Sequence, residues 1–135
     1  MELIKVILSE ENLDEALRRV KVNNGAPGID EMHVSKLDEY FKAHKDEIKT
    51  SIMEMKYKPL PVRRVYIPKS NGKKRPLGIP TAVDRVIQQA VAQVLSQIYD
   101  SSFSENSYGF RSNRSAHDAI DKVLEYLNEG YEWVI

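Results

Sequence analysis

The chain has 135 residues, twenty Lys or Arg balanced by twenty Asp or Glu, 41% apolar and 30% charged residues, and no cysteine. That is one domain's worth of ordinary globular sequence. It excludes disulfides, thiol chemistry and a Cys-based zinc site, and it suits a reducing compartment. The zero net charge conceals a segregation. Residues 56–85 carry nine Lys or Arg against one acid, Asp84, a net of +8; residues 1–55 carry eight bases against twelve acids, and residues 86–135 three against seven. A concentrated positive patch of this kind attracts polyanions, of which nucleic acid is the usual one.

In chain order, MELIKVILSEEN opens with a short apolar run but lacks the basic lead and small-residue cleavage site of a signal peptide. No stretch approaches the length of a membrane span. Ser9 followed by Glu10 and Glu11 marks a helix start, and Leu13, Ala16, Leu17 and Val20 recur at helical spacing, predicting a helix over 10–22. Asn23-Asn24-Gly25-Ala26-Pro27-Gly28 ends it, either as a simple loop or as a close approach to another backbone. Ser35 and Asp38 have capping-box spacing ahead of the apolar stripe Leu37, Tyr40, Phe41, His44, Ile48, Ile52 and Met55, read as one helix or as two broken near Ala43-His44. His33 and His44 lack neighbours at metal-ligand spacing and read as surface or rim histidines.

Tyr57 to Pro80 reads as a basic β-hairpin with arms Val62–Pro68 and Arg75–Pro80 and a turn at Asn71-Gly72. A two-residue turn would set Lys69 opposite Lys74. A wider loop over 70–74 sets Lys69 opposite Arg75, Ile67 opposite Leu77 and Val65 opposite Ile79, gathering the apolar side chains on one face; this is the expected register. Pro76 and Pro80 cannot donate to a ladder, which makes their arm short or an edge.

Thr81 and Asp84 again have capping-box spacing, and Val83, Val86, Ile87, Ala90, Val91, Val94, Leu95 and Ile98 predict a strongly apolar core helix to about Tyr99. The loop Phe103 to Arg111 either brings backbone amides and Arg111 to phosphates or anchors its aromatics on the core. Ser115 and Asp118 start a last amphipathic helix closed by Asn128-Glu129-Gly130. Tyr131 to Ile135 reads as a strand that begins and is cut off, so the chain is expected to be a fragment. The fold class is α+β, mostly helical with one basic antiparallel hairpin.

The segments NNGAPGID, YKPLPVRRVYIPKSNGKKRPLGIPT, DRVIQQA and FSENSYGFRSNRSAHDAI resemble, in order and spacing, the N-terminal region of group II intron reverse transcriptases, also called maturases. The resemblance runs from about Asn23 to Ile135. It implies the fingers region of a right-hand polymerase: 1–32 an N-terminal extension helix and template-contacting loop, 33–56 helical, 57–81 the hairpin, and 82–135 helices and the start of a palm strand. It further implies that the hairpin closes over an incoming dNTP with Lys69 and Arg75 on the triphosphate. Arg63 and Arg64 would lie on the template side, and Ile79 and Pro80 near the templating base. The loop with Asn23, Asn24, Gly25 and Gly28 would touch template RNA, and Arg85, Arg111 and Arg114 would meet backbone phosphates.

The partners implied are intron RNA, an RNA template with a DNA primer, and dNTP, in a ribonucleoprotein of the bacterial cytoplasm and without a membrane. Mg²⁺ belongs to the full-length enzyme, whose metal-binding aspartates match no residue of this chain. Asp84, Asp100, Asp118 and Asp121 sit on or beside capped helices, so no metal and no polymerase activity are expected of the fragment alone. Two other readings compete: a stand-alone module docking structured RNA, and a self-associating homodimer using apolar surface on the Val83–Ile98 helix or around Trp133.

Overall fold

The computed structural model describes residues 2–133 and divides into two compact units, 1–95 and 96–135. In the first, α1 (Leu3–Ile7) and α2 (Glu10–Asn23) lead to a 3₁₀ turn (Val34–Lys36) and α3 (Leu37–Met53). The hairpin strands β1 (Arg63–Pro68) and β2 (Lys74–Ile79) follow, then α4 (Ala82–Tyr99), whose residues 96–99 are counted with the second unit. α2 begins as expected: the Ser9 hydroxyl accepts from the Asn12 N–H, two acids occupy the first turn, and Leu13, Ala16 and Val20 turn inward. It ends at Asn24, whose left-handed backbone (φ 45°) serves as the C-cap. α1, which periodicity did not reveal, is five residues without a side-chain cap, and burial of Ile7 and Leu8 accounts for it.

α3 is one continuous helix, and the Ser35–Asp38 box does not form. Ser35 lies inside the 3₁₀ turn, where its N–H donates to His33 Nδ1 at 3.3 Å, so the N-cap moves to Lys36 and the helix starts one residue late. At α4 the expected cap is present: Asp84 N–H donates to Thr81 Oγ1 at 3.1 Å.

The core is the meeting of α2, the start of α3 and α4. Leu37 and Val86 are fully buried at its centre, with Leu13, Ala16, Phe41, Ala90 and Val94 around them. A polar lock crosses it: the Asn12 amide donates to the carbonyls of Ile7 (2.8 Å) and Ala90 (3.0 Å), and Gln93 Nε2 donates to Asn12 Oδ1 (2.7 Å). The α4 face expected to be exposed for self-association is therefore covered at Val83, Val86, Ala90 and Val94, and only Ile98 and Tyr99 stand out. On the surface, Glu10 joins α2 to α3 by accepting from Lys45 and from Lys49 (2.8 Å); the Lys45 and Lys49 hydrogen bonds pull its carboxyl down to about 2.

The second unit contains a 3₁₀ turn (Asp100–Ser102), an irregular loop and α5 (Ala116–Asn128). Here the capping box is complete, with Ser115 Oγ accepting from Asp118 N–H and Asp118 accepting from Ser115 N–H at 2.7 Å. Gly130, at φ +96°, follows the last turn. The stripe Ile120, Val123, Leu124 and Leu127 is half exposed, and no residue of α5 is buried. Of the strand expected over 131–135, residues 131–133 have no regular structure, and 134–135 lie outside the described residues.

Leu37→Ala should lower the unfolding free energy by about 2–5 kcal/mol in urea denaturation, because it removes a fully buried side chain at the helix junction. The Glu10 pairing gives a sign for pH. Its folded-state carboxyl lies below the ordinary 4.5, so its contribution is complete above 4.5 and is lost as pH falls to about 2. The melting temperatures of wild type and Glu10→Gln should therefore differ above pH 4.5 and converge toward pH 2.

Candidate nucleic-acid and nucleotide interface

The hairpin register differs from both expected ones. The pairs are Arg63–Ile79, Arg64–Gly78, Val65–Leu77, Tyr66–Pro76, Ile67–Arg75 and Pro68–Lys74. Beyond them, Lys69 N–H donates to Lys73 O (2.7 Å) and Gly72 N–H to Lys69 O (3.1 Å), leaving a three-residue loop, Ser70 to Gly72. The cause is Gly72, whose φ of +76° supplies the left-handed residue that closes a turn of this length. Lys69 thus faces Lys73, and Arg75 lies one rung below, opposite Ile67. The prolines fit this register. With Lys69–Lys73 hydrogen-bonded, alternate pairs are not, so Pro68 and Pro76 fall where no N–H is needed.

Side chains alternate across the ribbon, so Arg63, Val65, Ile67 and Lys69 share a face with Lys73, Arg75, Leu77 and Ile79. The half-buried hairpin residues, Arg63, Val65 and Ile79, all belong to that face, which turns toward the body at its base. Lys69, Lys73 and Arg75 therefore overhang the body side. Arg64 is on the opposite face, separated from Arg63. Among the described residues Lys58, Arg63, Arg64, Lys69, Lys73, Lys74 and Arg75 enter no ion pair. Lys73, not singled out from sequence, joins the cluster; its place became legible only once the turn length was known.

The base of the hairpin meets the loop after α2. Gly28 is buried, and a Cβ there would stand 2.6 Å from Thr81 Cα and 2.7 Å from Thr81 N: the two backbones touch. Arg85 reaches back over the same loop. Its guanidinium donates to Ala26 O at 3.0 Å, and a Cβ on Gly25 would meet its Nη1 at 2.3 Å. Asn23 closes α2 and Asn24 caps it. The structure thus brings Gly25, Gly28, Ile79, Pro80 and Arg85 together beside Arg63. Nε of both Arg63 and Arg85 is buried and has no acceptor among the described residues.

A further group at this base was not anticipated as a site. Asp84, 4% exposed, accepts from Tyr57 Oη (2.5 Å), Thr81 Oγ1 (2.7 Å) and Leu60 N–H (3.2 Å). Burial, and then the hydrogen bond to Asp84, push the Tyr57 phenol well above its ordinary value, so it stays a donor.

Arg111 and Arg114 belong to the second unit. Arg111 donates to Asp100 Oδ1 (3.0 Å) and to the carbonyls of Asp100 (3.1 Å), Ser104 (2.9 Å) and Ser107 (3.2 Å), with its ring-side face against Phe103. Four of its five donors thus organise its own loop. The Arg111 hydrogen bond draws the Asp100 carboxyl below its ordinary range. Arg114 lies over the Tyr108 ring at 5.2 Å and donates to Glu105 O. Among the described residues no three His, Cys, Asp or Glu side chains form a group that could hold a metal ion.

Residues 67–135 match the family model for reverse transcriptase (RNA-dependent DNA polymerase), slightly more than half the chain. The chain belongs to the reverse transcriptase family. Within it, the chain is 41% identical over 139 residues to Protein YkfC of Escherichia coli (strain K12), covering 98% of this chain and 36% of that protein. It is 46% identical over 94 residues to the Group II intron-encoded protein LtrA of Lactococcus lactis subsp. cremoris, covering 67% and 16%. It is 31% identical over 101 residues to Nuclear intron maturase 2, mitochondrial, of Arabidopsis thaliana, covering 75% and 12%. The resemblance to group II intron reverse transcriptases read from the four motifs is thereby borne out. The chain spans about a third or less of the curated relatives it matches.

Gly28→Ala should cost about 1–3 kcal/mol, since the added methyl meets backbone that must move. Gly109→Ala, with open space around it, is the control and should leave the thermal midpoint unchanged.

Proposed function

We propose that this chain is the fingers region of an RNA-directed DNA polymerase, and that its hairpin holds the triphosphate of an incoming dNTP over a template strand. The observation carrying this reading is the one-faced cluster of Lys69, Lys73 and Arg75, exposed and free of ion pairs among the described residues. An ammonium is a compact point charge and a guanidinium a planar fork. Together they neutralise phosphate oxygens as negative charge moves toward the leaving group. Arg63, Ile79, Pro80 and the 23–28 loop form the template side, with Arg64 reaching phosphates from the outer face. In the whole polypeptide the same basic surface would engage intron RNA, as part of a cytoplasmic ribonucleoprotein.

Mg²⁺ chemistry needs carboxylates to hold the ions, and among the described residues no group of three His, Cys, Asp or Glu side chains could hold one. The part we assign to these residues is to bind and orient. Arg85 and Arg114 use some of their donors internally but keep others for phosphate; Arg111 contributes chiefly by shaping its loop.

In fluorescence anisotropy, affinity for an RNA–DNA hybrid should fall on the order of a hundredfold between 50 and 200 mM salt. Lys69→Ala/Arg75→Ala should weaken dNTP binding at least about tenfold, two charge-assisted contacts being lost, while hybrid binding survives. If the double variant instead abolishes RNA binding and leaves dNTP binding untouched, the patch is an RNA-docking surface. The purified chain should extend no primer above background.

A further inference from the structure

The hairpin has almost nothing to hold it. Of residues 63–79 none is buried, and the most covered, Arg63, Val65 and Ile79, all lie toward the base. A two-stranded ribbon is marginal alone, and strands of this length carry the tip roughly 20 Å from that base. A tilt of about 10° at the base would move Lys69 and Arg75 by roughly 3–4 Å over such a lever. Binding groups act only when held within about 0.5 Å and 10–20°. Whatever fixes the base therefore sets whether the cations reach a ligand together.

We infer that Asp84 and Tyr57 are positioning residues for the hairpin: one buried carboxylate ties both stems to the N-terminus of α4. Resting on the clamp reading above, this assigns the aim of Lys69 and Arg75 to a group at the opposite end of the ribbon. Asp84 accepts from Tyr57 Oη and Leu60 N–H on the segment entering β1, and from Thr81 Oγ1 on the segment leaving β2. Leu60 is three residues before Arg63, and Thr81 two after Ile79. No other side-chain hydrogen bond among the described residues touches both stems. A carboxylate 4% exposed without a cation partner is an expensive group to bury unless its oxygens are hydrogen-bonded. Here three donors reach both oxygens, and its negative charge sits at the favourable end of α4. The contact of Gly28 with Thr81 then joins the template-side loop to the same anchor.

The absence of cysteine makes the test direct. Spin labels at Ser70→Cys on the loop and Glu11→Cys on α2 report one distance within the first unit by pulsed electron resonance. Tyr57→Phe, Asp84→Asn and Thr81→Val should each broaden that distance distribution by a few ångströms, about the lever estimate. Thr81→Ser, which keeps the hydroxyl, should restore the narrow one. Tyr57→Phe and Asp84→Asn should also weaken dNTP binding about tenfold with Lys69 and Arg75 intact. Should Asp84→Asn fail to fold, Tyr57→Phe, which keeps the ring, decides alone. Unchanged distributions overturn the inference. So does broadening without loss of dNTP affinity, provided Lys69→Ala/Arg75→Ala does lose it; if that double variant binds dNTP normally, it is the clamp reading that falls.

Discussion

A cationic ribbon projecting from a protein repels itself and offers little apolar surface with which to dock, so its placement depends on its base. In this chain that base is a backbone-to-backbone contact at Gly28 and Thr81, with the Asp84 carboxylate joining the strands' two stems beside it. The geometry follows from small residue choices. Any side chain at position 28 would force the loop away from Thr81. A threonine at 81 both caps α4 and donates to Asp84. The helix core beneath, closed around Leu37 and Val86, supplies the rigidity against which this joint acts.

The arginines divide by what surrounds them. Arg111, with its side chain 10% exposed, is absorbed by Asp100 and three carbonyls and acts as the core of a loop too small to have an apolar one. Arg85 holds Ala26 yet keeps a buried Nε unmatched. Among the described residues the hairpin cations meet no carboxylate; the one acid within residues 56–85, Asp84, is enclosed and accepts from Tyr57, Leu60 and Thr81. The chain's acids lie elsewhere in sequence, and the bridges they form, such as Glu10 with Lys45 and Lys49, neutralise the helices among themselves. The positive field at the hairpin is therefore not a local excess waiting for an internal partner.

Much of this was legible in the sequence because it is local. Ser9, Thr81 and Ser115 announced α2, α4 and α5 through hydroxyls and acids within one turn. The face of Lys69 and Arg75 was legible too, since alternation survives a register shift of two residues. Non-local or conformational features were not. The pairing depended on the sign of φ at Gly72. The Ser35 cap lost to a 3₁₀ turn organised by His33. The α1 helix needs burial to exist, and the partners of Asp84 lie up to 27 positions away, beyond any periodic pattern. The internal role of Arg111 was not legible, because composition cannot show which carbonyls a loop will turn inward.

The register shift changes the chemistry of the cluster. Opposed Lys69 and Arg75 would make a single two-pronged site at the tip. The observed pairing puts Lys69 against Lys73, with Arg75 diagonal to Lys69. Directly opposed like charges destabilise a ladder by a few tenths of a kcal/mol to about 1 kcal/mol, and the loop geometry imposed by Gly72 leaves the lysines no other arrangement. That repulsion is greatest in the free state and disappears when an anion sits between the side chains. An anion bound at the Lys69–Lys73 rung would relieve that repulsion, and one long enough to reach the next rung would add Arg75.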